Sequence, residues 1–343
     1  MNTKPTSTAP GALARHCLTF NGSGSEFFGI WIVNVLLSIC TLGIYSAWAK
    51  VRTMNYFYGN TTLGGSSFAY TADPVAILKG RLIAFALLVP YLLLSETSPP
   101  LALTFMLALF LLAPVILVRS LRFRLRNTEY RGLRFGFTGT TGEAYGIFVG
   151  GFLLVMLSLG ILFPWLEKRR KEYYVGNARF GDSPFACAPQ LGHFYKCAGV
   201  CLLVPLSFGL LFVGASWALP PESSFFMGIF AGMLFYPVLG CLGAYWFAET
   251  TNHVLARSRL EDIRFESCLT TGGLLGLWVV NFLLLAFSFG LATPWVMVRN
   301  ARYRASCTTV IAANLDSFVA GKIETSSALG EEMGEAFEVD LAI

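Results

Sequence analysis

Apolar residues come in long runs along this chain, separated by short stretches rich in Lys, Arg, Gly and Thr. Seven runs lie near 27–49, 75–95, 101–118, 144–166, 197–219, 225–248 and 274–297. Each supplies roughly the 20 residues that a helix needs to cross a bilayer core of about 30 Å. Barrel strands in a membrane alternate apolar and polar over about ten residues. These runs do not alternate, so they predict an all-α integral membrane protein of about seven helices. Pro90, Pro114, Pro205 and Pro237 fall inside runs. Membrane helices tolerate such prolines because neighbouring groups satisfy the freed carbonyls.

The runs repeat. FFGIWIVNVLLSICTLGIYSAWAKVR, AYGIFVGGFLLVMLSLGILFPWLEKR and LLGLWVVNFLLLAFSFGLATPWVMVR place identical residues in five columns. The columns are Gly29, Gly146 and Gly276; Gly43, Gly160 and Gly290; Trp48, Trp165 and Trp295; Arg52, Arg169 and Arg299; and Tyr56, Tyr173 and Tyr303. A hydroxyl recurs at Thr41, Ser158 and Ser288. The glycines suit close helix approach or a local bend. Trp and Tyr suit the lipid–water interface, and Arg suits phosphates or snorkelling. Pro164 and Pro294 mark a bend beside Trp. The LLVP of 87–90 and 202–205 pairs the intervening runs, so the chain reads as three plus three plus one, with copies starting near 18, 135 and 265.

A second motif spans nine residues and ends in Phe: NTTLGGSSF (60–68), NTEYRGLRF (127–135), NARFGDSPF (177–185) and RSRLEDIRF (257–265). Alternation around Gly-Gly, Arg-Gly or Gly-Asp predicts short β-hairpin-like segments, placed at the membrane surface. Irregular loops sharing one helix-exit chemistry are the alternative.

Charge sets up a conflict. The connections at 50–81, 119–134, 167–196 and 250–264 all carry Lys/Arg and look cytoplasmic, whereas SETSPP (95–100) and LPPES (219–223) look external. If the run at 144–166 crosses, its two basic flanks lie on opposite sides. Either consecutive three-helix units are inverted, or the first, fourth and seventh runs dip in and return at the central glycine. A length of about 22 residues at 1.5 Å per residue favours crossing, which is the expectation adopted.

Composition fits lipid as solvent: 55% of the 343 residues are hydrophobic and 13% charged, against about 25% in soluble domains. The last 28 residues hold seven carboxylates and one lysine, so a net charge of +5 leaves +11 on the rest. A basic membrane body implies anionic lipid as partner, not nucleic acid. A polar N-terminal segment (1–17), a membrane domain (18–310) and an acidic, disordered tail (311–343) are expected.

Catalytic chemistry is sparse. His16, His193 and His253 are not spaced with Cys or carboxylate as metal ligands, and no nucleophile or phosphate-loop motif occurs. No catalytic residue, cofactor or metal is expected, and no enzyme activity. Glu26 and Glu143 match across two copies and suit helix N-termini. Asn34 and Asn281 match within the first and seventh runs; they either line a solute path or make interhelical hydrogen bonds.

The stretches FNGSGSEFFGIWIVNVLLSICTLGIYSAWAKVR, YFYGNTTLGGSSFAY and DPVAILKGRLIA resemble the YjgN family of bacterial inner-membrane proteins, over roughly 18–305. The resemblance implies a multi-pass protein of the cytoplasmic membrane and supplies no activity or site residue. The third copy departs from it at Cys307, where the others have Asn60 and Asn177. Two functions follow as expectations: a transporter or channel for a small or lipidic solute, or a non-transporting scaffold of an envelope system, with membrane-protein partners or further copies of itself.

Overall fold

The computed structural model describes residues 14–218, 221–313 and Val319. The all-α expectation is overturned, because eleven strands form one antiparallel sheet in the order β1-β11-β10-β9-β8-β7-β6-β5-β4-β3-β2. After β1 (Ala14–Cys17) and β2 (Thr19–Phe20), pairs of helices alternate with β-hairpins. Helices α1 (Gly24–Cys40) and α2 (Ser46–Gly59) precede β3 (Thr61–Leu63) and β4 (Ser66–Tyr70). Then come α3 (Pro74–Thr97) and α4 (Pro99–Arg126), with β5 (Thr128–Tyr130) and β6 (Leu133–Phe137). The third pair is an apolar helix made of α5 (Thr141–Tyr145), a π turn (Gly146–Gly150) and α6 (Gly151–Leu157), followed by α7 (Phe163–Gly176), β7 (Ala178–Phe180) and β8 (Ser183–Cys187). Next are α8 (Leu191–Ala218) and α9 (Pro221–Ala256), with β9 (Ser258–Leu260) and β10 (Ile263–Ser267). Last are α10 (Thr271–Phe287), α11 (Thr293–Ser306) and β11 (Thr308–Ala312).

The four nine-residue motifs are the hairpins. Their turns need left-handed backbone: φ is +52° and +79° at Gly64 and Gly65, and +50° and +81° at Arg131 and Gly132, as in a type I′ turn. What the sequence did not announce is how they join. The last Phe of each hairpin sits opposite the fourth motif residue of the next: Phe68 with Tyr130, Phe135 with Phe180, Phe185 with Leu260 and Phe265 with Val310. The outermost strands β1 and β2 are parts of one run, 14–20. Its first half pairs β11 and its second half pairs β3, and between them Leu18 N–H donates to Thr308 O at 3.1 Å. The sheet therefore curls round to meet itself as a near-barrel, joined through the single run 14–20. Residues 307–310 (CTTV) hold the place of a fifth motif, with β1 and β2 supplying its return strand.

The seven continuous helices and the three-plus-three-plus-one grouping are also corrected. The first, fourth and seventh runs each break. Gly43, Gly160 and Gly290 have φ near +90°, with Leu42, Leu159 and Phe289 before them near +50°. The hydroxyl column starts the second helix: Thr41, Ser158 and Ser288 side chains accept from the N–H of Tyr45, Leu162 and Ala292 at 2.9, 3.1 and 2.9 Å. Pro164 and Pro294 then fill the first turn, where a missing N–H costs nothing. The chain doubles back. Tyr56, near the end of α2, meets the cap of α1: Ser23 N–H donates to its Oη at 2.9 Å. Tyr173 Oη donates to Thr140 O at 2.9 Å, and Thr270 N–H donates to Tyr303 Oη at 3.4 Å. The length argument failed because residues beyond the central glycine belong to a second helix.

Three helices among the described residues are long and apolar enough to cross a membrane: Pro74–Thr97, Pro99–Arg126 and Leu191–Gly214. Pro90, Pro114, Pro205 and Pro237 lie inside continuous helices. The five pairs form a ring on the barrel, α2 packing on α3, α4 on α5, α7 on α8, α9 on α10, and α11 on α1. Every pair enters from and returns to the sheet. The acidic tail falls outside the described residues, save that β11 runs to Ala312 and Val319 is buried against the barrel core.

Candidate functional site

The strand pairing decides what faces inward. Motif positions four and nine meet across each junction between hairpins, so their side chains share the barrel interior with Leu18, Ile263 and Val319. Aromatic rings dominate: Phe68 and Tyr130 have centroids 4.7 Å apart, Phe135 and Phe180 4.9 Å. Tyr130 donates its hydroxyl to Leu63 O at 2.7 Å, so it brings no unmet polar group. They enclose an apolar chamber of about 190 Å³. Leu18, Phe68 and Thr308 also line a second cavity of about 310 Å³, walled by Phe57, Tyr58 and Ala301 from the feet of α2 and α11. The two spaces thus share a wall at the helix-facing mouth. Arg304 stands at that mouth, its guanidinium 5.8 Å from the Phe247 ring. Ligand pockets are mostly apolar with a few placed polar groups, and this pair of cavities has that character.

The repeat columns gather only in part. In the middle copy Gly146, Trp165, Arg169 and Tyr173 line one open groove of about 500 Å³. In the third copy Trp295 is instead packed on Phe28 and over Gly24, because α11 lies against α1. Gly29, Gly146 and Gly276 face open space, so close helix approach is not their role; Gly43, Gly160 and Gly290 make the reversals. Arg52 and Arg169 are exposed and Arg299 half-buried, while Trp48 is half-buried against Tyr45. Glu143 completes a capping box with Thr140, and Glu26 accepts from Tyr56 Oη at 3.0 Å. The third copy has Gly273 there because Tyr303 Oη would lie 2.4 Å from a Cβ. Asn281 donates to Asn300 Oδ1 at 2.9 Å, an interhelical hydrogen bond, and Asn34 reaches Ala49 O at 3.5 Å. Both keep a buried Oδ1 without a partner. The middle copy has Gly151 at this place, where a Cβ would strike Leu166.

Sequence spacing missed one cluster. His193 and His253 stack with centroids 4.1 Å apart, and Glu249 lies 3.7 Å from His193. His253 Nε2 accepts from Gln190 N–H at 2.9 Å, so it is neutral. The pairing of α8 with α9 creates this cluster, and no residue spacing shows it. Among the described residues no three His, Cys, Asp or Glu side chains are placed to hold a metal. All eight cysteines are unbridged. Burial pushes the Cys187 and Cys307 thiols up, so neither is an activated thiolate.

An apolar barrel-like sheet carrying a ring of helix pairs, three of whose helices are long and apolar enough to span a bilayer, fits a membrane protein. The chain belongs to the family described as "Bacterial protein of unknown function (DUF898)", whose model matches residues 15–336, beyond the 18–305 of the sequence resemblance. It is 25% identical to the inner membrane protein YjgN of Salmonella typhimurium strain LT2, across 88% of this chain and 90% of that one. It is also 31% identical to inner membrane protein YjgN of Escherichia coli strain K12, over 43% of this chain and 36% of that one. No solved structure matches.

Proposed function

We propose that the protein takes a lipidic solute from the cytoplasmic leaflet of the bacterial inner membrane into its barrel, as a step in transport. One observation carries this reading: the barrel interior is apolar throughout and adjoins a vestibule that opens toward the helices. A hydrated ion would find no polar lining there, which argues against an ion channel through the barrel. The basic residues of the connections flank the barrel side of the helices, so the barrel lies in the cytoplasm. Leu42, Leu159 and Phe289 at the three reversals are more than nine-tenths exposed, and bilayer is their fitting solvent. The polar α7 keeps the foot of its pair outside the hydrocarbon, so the short pairs dip into one leaflet while the long pairs cross.

The test is transfer of a fluorescent phospholipid in proteoliposomes, comparing wild type with Val310→Trp, which fills the chamber. Wild type should transfer the probe and the variant should lose at least tenfold in rate while remaining folded. Equal rates in protein-free vesicles, wild type and variant would sink the reading. The scaffold reading is favoured by one fact, that the spanning window of α3 buries none of its residues within the chain. A protein that stays monomeric and alone after mild solubilisation would count against it.

A further inference from the structure

The cleft between the first helix pair and α3 has features that the barrel reading does not use. Asn34, Ser38, Ser46, Lys50 and Arg81 converge on it beside Trp31, around a space of about 430 Å³. Arg81, in the second turn of α3, turns onto the neighbouring pair and donates to Ser46 Oγ, which itself donates to Gly43 O. That single neutral hydroxyl is its partner, and no carboxylate pairs with Arg81 or Lys50 among the described residues. Asn34 is 5% exposed, and its Oδ1 is buried with no donor. A half-buried guanidinium with spare donors and an orphaned amide acceptor are each costly unless something fills the cleft.

Asn281 of the third copy keeps the same unpartnered Oδ1, but the middle copy shows that the two cations are not a by-product of the repeat. In the middle copy Gly151 replaces Asn34, Phe163 replaces Ser46 and Glu167 replaces Lys50. Glu167 there pairs with Arg170 at 2.6 Å, so the charges close on themselves. Only the first copy leaves two cations and an amide open to a ligand.

We infer that this cleft binds the headgroup of an anionic, hydroxyl-bearing phospholipid of the cytoplasmic leaflet, phosphatidylglycerol by chemistry. The phosphate meets Arg81 and Lys50, since guanidinium forms charge-assisted, forked hydrogen bonds to phosphate. A glycerol hydroxyl donates to Asn34 Oδ1. An ethanolamine headgroup would bring an ammonium toward two cations and is disfavoured. Trp31 supplies apolar wall for the upper acyl chain, and Lys50 follows Trp48, the column suited to the headgroup level. Basic pockets between membrane helices on the cytoplasmic side are suited to such lipids. This inference is independent of the barrel, and either can fail without the other.

The test is native mass spectrometry of the full chain from nanodiscs of mixed phosphatidylglycerol and phosphatidylethanolamine. The wild type should retain one phosphatidylglycerol per chain in preference to phosphatidylethanolamine. Arg81→Gln and Lys50→Gln should each weaken retention about tenfold, with Lys79→Gln, an exposed neighbour outside the cleft, unchanged. If Arg81→Gln fails to fold, Lys50→Gln carries the comparison, because Lys50 is exposed and pairs with no carboxylate among the described residues. Asn34→Ala should reduce the preference for the glycerol headgroup over phosphatidic acid. Equal retention of phosphatidylethanolamine, or an equal loss in Lys79→Gln, overturns the proposal. So does saturation of the cleft by soluble glycerol phosphate, which would make the occupant a free phosphate.

Discussion

At the scale of residues, the tyrosine column holds the short helix pairs shut. Tyr56 Oη accepts from Ser23 N–H, and donates to Ser23 O or Glu26, each at 3.0 Å. Tyr56→Phe leaves that capping N–H unmet at a covered helix start and should cost about 1–2 kcal/mol. Burial first, and then the hydrogen bond with Glu26, push the Tyr56 hydroxyl above its ordinary value of 10. The sign follows: the folded state holds this proton more tightly than the unfolded chain. The contribution is therefore complete below pH 10 and lost as pH rises through the raised value. Thermal melts in detergent should show wild type above Tyr56→Phe by a constant margin from pH 7 to about 10, narrowing at higher pH. A margin that grows with alkalinity would contradict the assignment. The column itself was legible in the sequence, but its role was not. An interfacial tyrosine and a helix-capping strut look alike until Ser23, Thr140 and Thr270, each some thirty residues upstream, are known to lie beside it.

Local chemistry wrote the elements, and distant pairing wrote the sheet. Gly64-Gly65 and Arg131-Gly132 demand a tight turn, so the hairpins could be read from nine residues each. Their union could not, because Phe68 and Tyr130 meet across a whole helix pair. The signal that could have found it was the shared last Phe, together with the apolar fourth residue: the tight turn pairs residues four and seven, and Phe stands two further on, so both side chains point to one face. The reversals were half-legible. The hydroxyl, glycine and Pro-Trp order spelled a helix end and restart, yet an uninterrupted apolar run concealed it. Phe180 tests the barrel as an element. It is 4% exposed and touches Phe135 and Tyr130. Phe180→Ala should cost about 3–5 kcal/mol, since it removes packing and enlarges a chamber that is already partly empty. A loss below about 1 kcal/mol in detergent melts would mean that the interior is not a packed core.

For the whole molecule, the doubled-back pairs remove the conflict between charge and length. Had every apolar run crossed once, the four basic connections would have been split two and two between the faces of the membrane. Every pair leaves and re-enters the barrel, so on the proposed topology all the basic connections fall on one side. On the proposed topology only the apex near Ser98 and the far ends of α8 and α9 reach the other side, and the charge-poor stretches SETSPP and LPPES belong to these turns of the sequence. Single cysteines at positions 98, 182 and 262, in a background without the native eight, should therefore divide cleanly. In intact cells an impermeant maleimide reaching the periplasm should label 98 alone. Positions 182 and 262, in the turns of two hairpins, should react only after lysis. These two turns flank the α8–α9 pair, whereas 98 sits at an apex, so the pattern separates the readings. Crossing by the fourth run would put Asp182 and Arg131 on opposite faces, and labelling of 182 from outside would open the barrel model to rejection. Silence at all three positions before lysis would instead say that the long pairs do not cross.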